Sequence, residues 1–178
     1  MTREPGATRI GKQIRAMILD PANKDDDLAD RAEALLYAAD RAQHVATVIR
    51  PALSRGDVVV CDRYIDSSLA YQGYGRGHDL ADIKRLSMWA ADNLLPDLTV
   101  VLDLDPAAGM TRVFDRGNAQ DRFEQLKGGF HERVREGFLT LAAAEPARYV
   151  VLDATATPSE VHARVVALVA ALLPVTQS

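Results

Sequence analysis

Asp62 and Arg63 stand side by side after the run Val58-Val59-Val60-Cys61. An arginine fork can hold two phosphate oxygens at once, and a neighbouring aspartate can orient that fork or hold a metal ion's water shell. The pair could equally be a structural ion pair at a strand end. An unbroken apolar run such as Val58 to Val60 reads as a strand buried on both faces, as in a parallel sheet. Ligands of open α/β sheets bind beyond the carboxyl ends of such strands. Arg3-Glu4-Pro5-Gly6 opens the chain with a bend set by the backbone, or with an ordinary loop into a helix. Tyr37 and Arg41 are four apart and share a helix face. A planar ring could stack on that tyrosine while the arginine reaches a carbonyl, or the two could belong to a solvated surface. Arg112, Arg116 and Arg122 surround Gly117-Asn118, a turn. That stretch is either a solvated segment or a set of guanidiniums that closes over phosphates.

These residues need elements to position them. Val58 to Asp62, Leu98 to Asp103 and Tyr149 to Asp153 read as strands, and each ends at an aspartate. Between them lie stretches with helical spacing: Ala7 to Leu19, Asp26 to Leu53, Leu80 to Asn93, Pro106 to Arg116, Arg122 to Ala144 and Pro158 to Leu173. In the second, Leu28, Ala32, Leu35, Leu36, Ala39, Ala42, Val45, Ala46 and Ile49 follow a 3.6-residue period. Tyr37 lies about 200° around the helix from Leu35, off that strip. Pro51 should end or kink this helix, with Gly56 as its stop. Thr157, Pro158 and Glu160 have the pattern of an N-cap, a first-turn proline and a capping box. Strands alternating with helices imply right-handed crossovers and a layered α/β sheet. Three strands are few for so many helices, which points to strands before residue 1.

The 178 residues suit one domain with a sizeable core, 48% hydrophobic and 26% charged. A net charge of −4 argues against broad nucleic-acid binding. Of 21 basic residues 17 are arginine and 4 lysine, which fits either coding bias or phosphate recognition. The single cysteine, Cys61, excludes an internal disulfide and reads as a small buried hydrophobe. No apolar stretch approaches ~18–20 residues, so no membrane span is expected, and no signal-peptide pattern opens the chain. A cytoplasmic protein is the expectation. His44, His78, His131 and His162 have no metal-ligand spacing and read as non-catalytic.

Thr2-Arg3-Glu4-Pro5-Gly6-Ala7-Thr8, Tyr37 with Arg41, Cys61-Asp62-Arg63-Tyr64, Ser67-Ser68-Leu69-Ala70-Tyr71-Gln72-Gly73 and Asp121-Arg122-Phe123-Glu124 together resemble the thymidylate kinases over nearly the whole chain. The resemblance implies a P-loop NTPase-like, three-layer α/β fold in one domain, residues 1–178, with a lid at about 112–124. It implies ATP-dependent phosphorylation of dTMP to dTDP in dTTP biosynthesis, with Mg2+ and a homodimer built through helices. Membrane and nucleic-acid partners are not implied. Arg3 would approach the monophosphate, and Pro5 would follow a cis peptide. Tyr37 would stack on the thymine while Arg41 reaches its carbonyl. Ser68, Tyr71 and Gln72 would line the nucleoside pocket, with Tyr71 against the 2′ carbon. Arg63 would bridge donor and acceptor phosphates beside Asp62, which would meet the metal only through water. Arg112, Arg116 and Arg122 would carry developing charge as lid arginines of the bacterial type, the first two also binding ATP. Ala154 and Thr155 would touch adenine. The alternatives are a deoxynucleoside kinase and a non-catalytic nucleotide-binding or dimerisation module. No G-x-x-x-x-G-K-[ST] loop occurs in the 178 residues. The expectation is a chain without the family's first strand and phosphate loop, inactive alone, with a gap between the strands ending at Asp62 and Asp103.

Overall fold

Strands and helices alternate as the apolar pattern predicts, but the strand expected from Val58 to Asp62 is reduced to its last two residues, and the described strands form two separate pairs. The computed structural model describes residues 1–21, 23, 28–115, 122–124, 126 and 129–173. β1 (Thr2–Arg3) lies parallel to β2 (Cys61–Asp62), with Thr2 opposite Cys61 and Arg3 opposite Asp62. β3 (Thr99–Asp103) lies parallel to β4 (Tyr149–Asp153), with Thr99 opposite Tyr149 and Asp103 opposite Asp153. Among the described residues no ladder joins β2 to β3, the place where the resemblance expects another strand.

Two expectations about strands need correction. Arg3, read as the start of a bend or loop, belongs with Thr2 to a strand, held by the Thr2 amide on the Val60 carbonyl and the Glu4 amide on the Asp62 carbonyl, both 2.8 Å. Val58 to Val60 are not a doubly buried strand. Val58 is 54% exposed and Val60 47%, because nothing described covers that side.

The helices are α1 (Arg9–Leu19), α2 (Asp30–His44), α3 (Arg50–Ser54), α4 (Ile65–Ser68), α5 (Leu80–Ala90), α6 (Pro106–Asp115), α7 (Phe130–Ala144) and α8 (Pro158–Leu172). Thr8 caps α1 through the Gly11 amide, 2.8 Å, and Ile14 and Ile18 face inward. α2 and α3 are joined by a π-helical turn, Val45–Ile49, and so make one continuous rod. Pro51 does not end this rod. It cannot donate to the ladder, and a widened turn just before it relieves the clash of its ring with the preceding turn. Gly56, at φ +82°, is the stop. The expected start at Asp26 and the end of the fourth stretch at Arg116 lie outside the described residues. α7 begins at Phe130, not Arg122, behind Gly129 at φ +73°.

The strip predicted for α2 is corrected too. Leu35 is 58% exposed, and Ala39 and Ala46 are exposed as well. The inward face instead carries Glu33, Ala34, Ala38, Asp40, Arg41 and His44. A hydrophobic period cannot reveal a buried face made of paired charges.

A second π-helical stretch, Leu69–Gly75, follows α4 directly and packs along α7. The approach needs glycine on both sides. A Cβ at Gly137 would sit 2.7 Å from the Tyr74 ring, and one at Gly75 would sit 2.7 Å from Phe130. Such widened turns recur at functional sites, and this one carries Tyr71 and Gln72. Around it Ile14, Ile18, Ala70, Phe123, Phe130 and Val134 form one core cluster, and a second groups Ala34, Val45, Ile49, Ile65, Leu69, Ile83 and Ala91.

The capping box at α8 forms as predicted. Thr157 accepts from the Glu160 amide at 3.3 Å and Glu160 accepts from the Thr157 amide at 2.9 Å. The Thr157 bonds hold the Glu160 carboxyl below its usual range. A depressed folded value means this contribution is present above the unfolded value and is lost as pH falls through the folded one. Thr157→Ala should lower Tm by about 2–4 °C at neutral pH. The gap from the parent should shrink in acid, as thermal melts followed by circular dichroism would show.

Candidate functional site

β1 and β2 point their carboxyl ends into one open cleft, and each strand delivers a reversal of the chain there. After β1 come Glu4, Pro5 and Gly6, with a cis bond between Glu4 and Pro5 and Gly6 at φ +109°. After β2 comes Arg63 at φ +65°, a left-handed backbone that non-glycine residues seldom adopt. This conformation turns the guanidinium out of strand direction and onto the Tyr71 ring, 4.9 Å from its centroid. Strained backbone of this kind concentrates at functional sites.

The cleft encloses about 720 Å³, counting its open mouth. Pro5, Tyr37, Arg63, Ser68, Tyr71 and Gln72 all line it, coming from four separate stretches of chain. Arg15, Leu19, Phe123, Glu124 and His131 complete the walls with Glu4 and Ser67. Phe123 stands between the two tyrosines, 6.3 Å from Tyr37 and 5.7 Å edge-on from Tyr71. The result is an aromatic slot with two guanidiniums, Arg15 and Arg63, in its walls. A planar, anionic ligand fits that chemistry.

Behind the slot lie two buried charge centres. Glu4 is 3% exposed and accepts from Arg41 Nε at 2.9 Å, with His44 Nδ1 at 3.0 Å on its other oxygen. Arg41 also donates to Ser68 Oγ at 3.1 Å and Ser87 Oγ at 3.3 Å. Asp40 accepts from the Gly6 amide at 3.1 Å, and burial pushes its carboxyl pKa up. Glu33, fully buried, forms the second centre. It accepts from Gln72 at 2.9 Å, Arg76 at 2.9 Å and Arg122 at 2.5 Å.

Two expected ligand contacts are therefore not brought to the cleft. Arg41 lies behind it, with its donors on Glu4, Ser68 and Ser87, and reaches the slot through the two of these that line it, Glu4 and Ser68. Arg3 is exposed on β1 outside the lining. Arg122, expected in a lid, is 4% exposed and bound to Glu33. Arg116 lies outside the described residues, as does the rest of the lid's middle, residues 117–121. Arg112 is exposed and donates to the Ala154 carbonyl at 3.1 Å, which brings the expected adenine-side residues together. Thr155 is exposed and donates through its amide and hydroxyl to Asp153, at 2.8 and 2.7 Å. Arg15 and Glu33 went unnoticed in the sequence, because nothing in their spacing separates them from core and surface residues, and Phe123 was read only as part of the lid-edge motif.

Asp62 is exposed at the β2 end, and no hydrogen bond or ion pair to a described residue occupies its carboxylate. A hard cation takes carboxylate oxygen and water, so this donor fits an outer-shell role. The surroundings of Cys61 disfavour its thiolate. Burial first, then the Glu4 and Asp62 charges, push its thiol up to about 12. Its alkylation by iodoacetamide at pH 8 should run at least tenfold slower than in the urea-unfolded chain, whose thiol titrates near the ordinary ~8.5. Equal rates would contradict the burial.

The sequence profile of the family described as thymidylate kinase matches residues 1–165. A thymidylate kinase of Clavibacter sepedonicus is 54% identical over 175 residues, covering 96% of this chain and 82% of its own. One from Solidesulfovibrio magneticus is 53% identical, with 97% and 84% covered. The crystal structure of thymidylate kinase from Ehrlichia chaffeensis superposes with a TM-score of 0.71 at 32% identity, covering 94% of this chain and 78% of that one. With the slot, its arginines and these relatives in agreement, the chain belongs to the thymidylate kinase family.

Proposed function

We propose that the cleft binds dTMP and that the chain serves transfer of the γ-phosphoryl group of ATP to it, giving dTDP. The convergence of Pro5, Tyr37, Arg63, Ser68, Tyr71 and Gln72 on one slot carries this reading. The base stacks on Tyr37 beside Phe123, with the Ser68 hydroxyl, itself held by Arg41, and Gln72, held by Glu33, at its polar edge. Tyr71 packs against the sugar, where a 2′ hydroxyl would clash. Arg63 and Arg15 draw the 5′-phosphate, and Arg63 stabilises the spreading negative charge in line with the attack. Mg2+ when bound neutralises phosphate charge, and Asp62 is the residue to hold its water shell. Arg112 with Ala154 and Thr155 faces the ATP side, and Arg116 supplies a lid guanidinium. Exposed Leu35 on α2, 58%, and Trp89 on α5, 80%, support pairing of two copies through these helices. Among the described residues no helix is long and apolar enough to cross a membrane.

The test is a split in Michaelis constants. Ser68→Ala should raise KM for dTMP about tenfold, the loss of one buried hydrogen bond, and leave KM for ATP within about twofold. Equal changes for both substrates in a coupled dTDP assay would count against this placement of the base.

A further inference from the structure

Ser68 and Gln72 line the slot four residues apart on the continuous run of α4 and the π-helical stretch Leu69–Gly75, and so share one face. Each is held from behind by a buried charge, and that charge fixes what the side chain has left to offer. Ser68 Oγ accepts from Arg41 Nη2 at 3.1 Å. A guanidinium can only donate. The Ser68 hydroxyl is thus used as an acceptor on its inner side, and it donates to no described residue. Its hydrogen is left for the slot. Gln72 is fixed in the opposite sense. Its Nε2 donates to Glu33 Oε1 at 2.9 Å. Glu33, fully buried and held by Arg76 and Arg122, is a carboxylate and can only accept. The amide cannot turn over without setting its own oxygen against that carboxylate. Gln72 Oε1 takes no hydrogen from a described residue, yet it is not one of the unpaired atoms shut off from solvent.

We infer that Glu33 is a positioning residue for base selection: by holding the Gln72 oxygen toward the slot, beside the Ser68 hydrogen, it admits a pyrimidine with a ring N–H next to a carbonyl. This rests on the cleft being the dTMP site. Thymine has N3–H between two carbonyls, so either carbonyl can take the Ser68 hydrogen while N3–H meets Gln72. Cytosine has a lone pair at N3, which would face the Gln72 oxygen, and its 4-amino group would face the Ser68 hydrogen with a second donor. Glu33 does not line the cleft. It acts because relieving the mismatch by turning the amide would break a buried, charge-assisted bond. Specificity here comes from refusing the wrong ring as much as from holding the right one.

Calorimetry with dTMP and 5-methyl-dCMP, which differ only along this edge, tests the assignment. The parent should bind 5-methyl-dCMP about a hundredfold more weakly than dTMP, through one lost and one repelled contact. Glu33→Gln gives Gln72 an amide partner that can donate or accept, so the preference should fall about tenfold. Glu33→Asp remains acceptor-only and should keep the parental preference, even if both nucleotides bind less well. Gln72→Met removes the amide and leaves Glu33 with both arginines; it should also lose about tenfold of the preference, and it decides the matter if Glu33→Gln does not fold. A purely structural role weakens both nucleotides alike. An unchanged preference in Gln72→Met or in folded Glu33→Gln would therefore overturn the inference, as would parental binding of the two nucleotides within about threefold. Arg63→Ala tests the underlying reading separately and should weaken both nucleotides equally. If it binds both as the parent does, the cleft is not the nucleotide site; if it is impaired while the other variants keep the parental preference, only the role of Glu33 fails.

Discussion

Arg63→Ala should lower kcat/KM for dTMP about a thousandfold, or roughly 4 kcal/mol of transition-state stabilisation. The side chain stands at the end of β2, turned by a φ of +65° into the cleft and over the Tyr71 ring at 4.9 Å. On the proposed reading this guanidinium follows charge as it moves between phosphates, so its loss should reduce kcat as well as dTMP affinity. Arg63→Lys should recover little, because a point charge cannot hold two oxygens in one plane. Arg63→Gly separates chemistry from fold. It should lose as much activity as alanine while gaining about 1 kcal/mol of stability by removing the left-handed strain. Steady-state kinetics and urea melts on the three variants decide the matter. Retention of more than a tenth of parental kcat/KM in Arg63→Ala would refute the role.

The second large effect is on folding. Glu33→Ala should destabilise the protein by about 3–5 kcal/mol, because it leaves Arg122 and Arg76 buried beside an emptied site and Gln72 without its anchor. That is a large part of the ~5–15 kcal/mol typical of a whole domain. Glu33→Gln keeps shape and one acceptor oxygen, so it should cost less than alanine. It should also loosen Gln72 at the base end of the cleft, raising KM for dTMP more than KM for ATP. Chemical denaturation checks the first expectation. A loss under 1 kcal/mol for Glu33→Ala would mean that the arginines find other partners and that the hub does not hold the slot together.

Local features were set by the sequence alone. Thr157, Pro158 and Glu160 specify the start of α8 through bonds among neighbours, and Gly56 ends its helix with a conformation that glycine adopts freely. The aspartates closing β2, β3 and β4 were legible from the Val and Leu runs before them. So were Tyr37, Arg63, Ser68 and Tyr71, whose types and order carried the family resemblance and which the fold brings together. What the sequence left open depends on partners distant in the chain. Arg41 and Arg122 read as free ligand-seeking cations, yet Glu4 and Glu33, 37 and 89 residues away, bury them behind the cleft. The inward face of α2 is polar for the same reason, and no apolar period can announce it. Arg15, Phe123 and His131 become walls of one slot only when α1, the 122–124 stretch and α7 close on the β1 and β2 ends. Side-chain type and local order can be read along a chain; desolvation and the pairing of charges exist only once the chain has folded back on itself.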